Sequence, residues 1–290
     1  MRFLALALIG LAQPVLAEVP RVVTDLPPVQ ALVAQVMGDL GAPVLLLEKG
    51  ADEHDFQMRP SQRRALAGAD LVVWIGPELT PWLERGMAGG AAQSLALLDA
   101  DGTYRRPYGP EVEDDGHGHD DHGNTDPHAW LDPNNAAYWA ALIAHELGQI
   151  DPEHAKVYAG NAAAAQVRIA AMDAQIAGLL APMKARGFVT FHAAYGYFAA
   201  HYGLTGAGAL ALGDAATPGA ARLAGLRADL EAGRYICAFP EVQHDPALMV
   251  QLLDGTGVKL GAALDPVGSS LDAGPDGYEA LMLGLAQKLA

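Results

Sequence analysis

The sequence predicts an α/β protein of two similar parallel-sheet lobes joined by a long helix, with a metal site in the cleft between them. Strand-like apolar runs alternate with helix-like stretches along the chain, the signature of parallel sheets with crossover helices. The same order occurs twice at an offset of about 166 residues: Val23-Thr24 matches Val189-Thr190 and Leu98-Asp99 matches Leu264-Asp265. Ala67-Gly68 matches Ala232-Gly233 at nearly that spacing. Between the halves, residues 151–186 are rich in Ala, Gln, Met and Leu, mostly good helix formers.

The elements follow in order. Residues 1–17 read as a secretory signal, with Arg2 as its positive end, an apolar stretch over 3–11 and Val15-Leu16-Ala17 as the cleavage site before Glu18. That apolar stretch is too short to span a bilayer permanently, and no cysteine follows the cleavage site to carry a lipid. The first lobe is expected over 18–150. Its strands are read at 21–24, 44–47 and 71–75, the last ended by Gly76-Pro77, with helices near 29–37 and 61–67 and Ser61 as the N-cap of the second. The linking helix is placed at 151–186, with Pro152 in a first turn that tolerates it and a break or end near 178–182. The second lobe spans 187–290, with strands at 188–190 and 235–239 and a helix running to Tyr202.

Composition narrows the function classes. With 34 acidic against 18 basic residues, the net charge is −16, which argues against a nucleic-acid partner and suits the attraction of cations. Cys237 is the single cysteine, so the chain has no internal disulfide; the apolar YICAF context reads as a small buried hydrophobe.

Four residues stand in contexts suited to metal ligation: His54 in GADEHDFQMRPS, His128 in DPHAWLDP, His192 in FVTFHAAYGYF and Asp265 in ALDPVGSS. Three imidazoles and one carboxylate make a good donor set for Zn²⁺, a borderline-soft ion that favours nitrogen. The prolines around His128 fix the backbone at both ends. His192 and Asp265 each follow an apolar second-half segment, at the strand edge where open α/β sheets bind ligands. Asp265 before Pro266 also suits a turn cap. Glu53 is a substitute ligand or, like Glu241 after the 235–239 strand, a group that supports the site edge. The acidic loop over 111–124 carries His117, His119 and His122 among glycines and aspartates, which suits an accessory, exchanging metal-capture segment. His145, His154, His201 and His244 have no comparable context and read as surface or satisfied core residues.

Taken together, GADEHDFQMRPS, DPHAWLDP, VTFHAAYGYFAAHYGL, CAFPEVQ and LDPVG resemble, in order, segments of the zinc-uptake branch of periplasmic metal-binding proteins of ABC transporters. The resemblance covers essentially the whole mature chain. It implies two α/β lobes joined by a long helix, one ion held by His54, His128, His192 and Asp265, and delivery to an ABC transporter membrane permease. A periplasmic zinc metallochaperone as donor and a monomeric state also fit. The third ligand position separates zinc from manganese members, which carry a carboxylate there; here it is His192. Some zinc members pair a cysteine near position 237 with one near the C-terminus, and this chain has no second cysteine. Other classes are a zinc-dependent hydrolase with Asp265 as general base, against which no HExxH-type motif is present, and a manganese-binding or other-metal protein or adhesin of the same fold.

Overall fold

The computed structural model describes residues 18–54, 56–88, 90, 93–107, 125–211 and 218–290; the signal segment, Asp55 and the loop histidines His117, His119 and His122 lie outside them. Each half contains one four-stranded parallel sheet. The first is built from β1 (Val22–Thr24), β2 (Val44–Leu45), β3 (Leu71–Trp74) and β4 (Gln93–Ala96), in the order β2-β1-β3-β4. The second is built from β5 (Phe188–His192), β6 (Ala207–Ala211), β7 (Cys237–Phe239) and β8 (Lys259–Leu260), in the matching order β6-β5-β7-β8. The repeat extends to register. Val22 pairs with Leu71 and Leu71 with Gln93, and the residues 166 positions on, Phe188, Cys237 and Lys259, pair in the same way.

The helices of the first half are α1 (Pro27–Met37), α2 (Pro60–Ala67) and α3 (Pro81–Met87), followed by α4 (Pro133–Ile150). All four begin on proline, whose fixed φ and missing N–H suit the first helical position. For that reason α2 starts one residue before the expected Ser61: Pro60 takes the first turn, and the N-cap is Arg59, whose backbone N–H donates to Gln62 Oε1 at 2.6 Å. The linking helix α5 covers Ala155–Leu180, 26 residues or about 39 Å. It is shorter than 151–186 because Asp151 turns the chain first, accepting from Tyr158 Oη at 2.9 Å and facing His154 Nδ1 at 2.7 Å. The second half adds α6 (Gly196–Tyr202), α7 (Ala220–Glu231), α8 (Ala247–Leu253) and α9 (Gly277–Leu289). No helix among the described residues is long and apolar enough to cross a membrane.

Strand alternation sends side chains to two faces. Val22, Leu71 and Val73 face inward to a large core that also takes Phe188 and Phe239 from the second sheet and the apolar faces of α1, α4, α5 and α9. Val23, Val72 and Trp74 face outward, under α2 and α3. Val189, Leu210 and Ala238 do the same in the second half, under α7 and α8. Cys237 opens β7 and is half-buried rather than buried. At the end of β1, the buried carboxylate of Asp25 accepts from Leu26 N (2.8 Å), Ile75 N (2.9 Å) and Thr80 Oγ1 (3.3 Å), tying β1 to the end of β3.

His201 on α6 joins three elements. Its Nδ1 lies 3.2 Å from Asp132, the N-cap of α4, and its Nε2 lies 2.8 Å from Asp173 on α5. The Asp132 hydrogen bond is the largest influence raising its pKa above 6.5, with burial opposing. A histidine pKa raised by folding contributes stability that is complete below the unfolded value and fades as pH climbs through the folded one. The stability advantage of the wild-type protein over His201→Gln, read by urea denaturation of metal-free protein, is therefore expected to be larger at pH 5.5 than at pH 8.5. An advantage independent of pH would show that the imidazole acts by packing alone.

Candidate metal centre

Three loops or strand ends carry the imidazoles. His54 sits in the connection between β2 and α2, where its backbone N–H donates to Asp52 Oδ1 at 2.9 Å. His128 leads the 3₁₀ turn Ala129–Leu131 ahead of α4, and Trp130 in that turn is anchored by donating Nε1–H to the Pro266 carbonyl at 2.8 Å. His192 is the last residue of β5 rather than the first after it. The fold brings these three rings together from 138 residues of sequence: centroids lie 6.0 Å apart for His54–His128, 5.8 Å for His54–His192 and 5.2 Å for His128–His192. One ligand atom from each of Glu53, His54, His128 and His192 lies within 4.8 Å of the others.

Two buried carboxylates set how the rings are presented. Asp126 Oδ1 lies 2.8 Å from His128 Nδ1, and Glu241 Oε2 lies 2.6 Å from His192 Nδ1. An acceptor at Nδ1 assigns the proton to that nitrogen and leaves the Nε2 lone pair as the donor. The two Nε2 atoms lie 3.3 Å apart, so both lone pairs are directed into the same small space. Such convergence of electron pairs suits a cation. Asp126 also accepts from the His128 backbone N–H at 3.0 Å, and Glu241 accepts from Tyr195 Oη at 3.1 Å.

Burial dominates the electrostatics. It pushes the Glu53 carboxyl up to about 8, with His192 the main opposing influence, and the Asp126 carboxyl up to about 7 against the His128 backbone bond and Arg106. Burial also raises the Tyr195 phenol, helped by the charges of Glu241, Asp265 and Glu53.

Asp265 is placed differently from the three histidines. Its Oδ1 accepts from Ser269 N (2.9 Å) and its Oδ2 from Ser270 N (2.8 Å) and Ser270 Oγ (2.6 Å), so it closes its own turn and stands outside the four-residue group. Glu53 stands inside it, with Oε1 3.5 Å from His54 Nε2. His244 stacks on Phe191 at 4.1 Å and forms a second acid–imidazole group with Glu241 and His192. Sequence reading did not single out Asp126; the signal was an aspartate two residues before His128 in DPHAW.

The fold and the converging donors define a two-lobed metal-ion-binding protein. More particularly, the chain belongs to the family described as ZnuA, zinc-uptake complex component A, periplasmic, whose profile matches residues 22–290. It is 50% identical to the high-affinity zinc uptake system protein ZnuA of Paracoccus denitrificans (strain Pd 1222), over 99% of this chain and 96% of that one. It is 34% identical to the protein of the same name from Brucella abortus (strain 2308), over 92% and 90%. Among solved structures, a 138–173 deletion mutant of ZnuA with zinc bound superposes with a TM-score of 0.78 at 25% identity, covering 93% of this chain and 96% of that one. The laminin-binding protein Lmb of Streptococcus agalactiae shares the fold at 23% identity and a TM-score of 0.77, over 93% and 100%.

The Asp126–His128 pair gives a direct expectation. Removing an outer carboxylate that orients an imidazole ligand weakens metal affinity about 10–100-fold. Asp126→Ala should show a loss of that size for Zn²⁺ with the stoichiometry of one retained, in calorimetric competition against a chelator. Unchanged affinity would mean that the backbone alone aims His128.

Proposed function

We propose that this chain captures one Zn²⁺ with His54, His128 and His192 and hands it to the membrane permease of an ABC-type importer. The observation that carries the reading is the convergence of three imidazoles, two of them buried and held at Nδ1 by carboxylates. For the fourth donor we favour Glu53, whose oxygen is already in the group, over Asp265, whose oxygens are engaged by Ser269 and Ser270. Asp265 instead closes the turn over residues 265–270. That turn touches both first-half ligand segments: Ser269 O accepts from Gly50 N at 2.9 Å and Pro266 O from Trp130. Loosening it is a route for release.

Four protein donors around zinc leave no coordination position for an activated water, which supports a carrier over a hydrolase. The N-terminal segment with its cleavage site at Ala17 supports export to the periplasm, where the family description places its members. Three nitrogens favour Zn²⁺ over Mn²⁺ and Mg²⁺, while Cu²⁺, higher in the stability order, competes.

Calorimetric titration of metal-free mature protein tests the ligand set. One tight Zn²⁺ site is expected. His128→Ala should weaken it by more than the roughly 100-fold upper range of an outer-partner loss. Glu53→Gln should weaken it more than Asp265→Asn, and deletion of residues 113–122 should leave it in place. The reverse order of the two carboxylate variants would make Asp265 the fourth donor. Tight binding that survives His128→Ala and disappears with the loop would sink the cleft site altogether.

A further inference from the structure

The first half carries a groove that metal capture leaves unused. It lies on the outer face of the first sheet, which is covered by two short helices, α2 of 8 residues and α3 of 7. The opening measures about 850 Å³ and is lined by Phe56, Met58, Leu66, Trp82 and Met87, with Ala67 at its edge. Arg63 and Arg85, both exposed, also line it. Neither guanidinium has an ion-pair partner among the described residues, whereas Arg21, Arg59 and Arg105 of the same half each pair with a carboxylate. In a chain of net charge −16, residues 59–87 hold Arg59, Arg63, Arg64 and Arg85 against Asp70, Glu78 and Glu84. A slot of mixed lining, with Gln57 and Ser94 beside those apolar side chains and two cations unpaired among the described residues, is complementary to a peptide with a bulky apolar side chain next to carboxylates. The acidic remainder of the surface would repel the same peptide.

The groove is continuous with the metal loop. Phe56 and Met58 follow His54 on the chain and form one wall. Trp82 donates Nε1–H to the Glu53 carbonyl at 2.9 Å and meets Phe56 edge-on at 4.9 Å. An occupant pressing on that wall bears on the Glu53-His54 segment. We infer that the groove between α2 and α3 is the docking site for an acidic, apolar-anchored peptide segment of the membrane importer, which rests on the delivery role proposed above.

The test is docking of zinc-loaded mature protein onto nanodiscs that hold the importer's permease and ATPase, with empty discs of the same lipid as control. Wild-type protein should bind, with affinity that falls as salt rises. Arg63→Glu with Arg85→Glu should bind at least about tenfold more weakly and lose the salt dependence, because charges at an interface rim steer association. Ala67→Trp, which plugs the slot and keeps both arginines, should also bind more weakly. Both variants should keep wild-type Zn²⁺ affinity. Variants that dock like wild type overturn the inference while leaving delivery intact. Failure of the wild-type protein to dock overturns delivery and the inference together. Equal losses on empty discs would assign the groove to lipid, and self-association abolished by the variants would assign it to a second copy of this chain; either result overturns the inference.

Discussion

The structure depends on one shared core. Val22, Leu71 and Val73 of the first sheet and Phe188 and Phe239 of the second pack into the same apolar mass, through α1, α4, α5 and the C-terminal α9. Neither sheet has an inner face that it could bury alone. Packed interiors deform little, because moving one side chain opens a void or a clash at the next. The facing strand edges are therefore held at a fixed separation, and two loops and the end of β5 meet with their ring nitrogens a few ångströms apart. Tyr278 of α9, donating to the Trp130 carbonyl at 2.9 Å, ties the last helix to the segment that carries His128.

Within that frame the site is an acid-rich pocket, with the Arg106 guanidinium offsetting part of the charge at Asp126. Glu53, Asp126, Glu241 and Asp265 are all buried around three imidazoles. Burying carboxylates without a counter-charge is costly, and the upward displacement of Glu53 and Asp126 records that cost. A divalent ion bound as proposed would supply balancing charge at the place where the Nε2 lone pairs converge. Asp126 and Glu241 thus act twice, once by orienting a ring and once by adding to the negative potential.

Much of this was legible in the sequence, for identifiable reasons. Short apolar runs marked β1, β2, β3, β5 and β7, two of them ended by Gly-Pro or Pro, and the 166-residue offset marked the repeat; β4 (Gln93–Ala96) and β6 (Ala207–Ala211) are poor in large apolar side chains and do not stand out as strands. The histidines were legible because each stands in an unusual local context at a strand end or a proline-fixed loop. α4 was not singled out, since its apolar residues follow directly on the DPHAWLDP segment with no turn between. The fourth carboxylate was not decidable from local context either. Glu53 and Asp265 both follow plausible turns, and only the tertiary fold shows that Ser269 and Ser270 come back to engage one of them while the other faces the rings.

The register repeat has a further consequence. The positions 166 residues before His192 and Glu241 are Leu26 and Ile75, both fully buried. One copy of the duplicated strand edge holds an imidazole and its carboxylate; the other is sealed with aliphatic side chains and contributes to the site through loops alone. The two halves are thus unequally free to change. Loops tolerate insertion and substitution without disturbing a sheet, so the residues around His54 and His128 can be retuned for capture or release at small structural cost. His192 closes a β-strand whose register is fixed on both sides, so an exchange there must first satisfy the sheet. On the proposed ligand set, ion preference would be anchored in the rigid copy, and handling of the ion left to the pliable one.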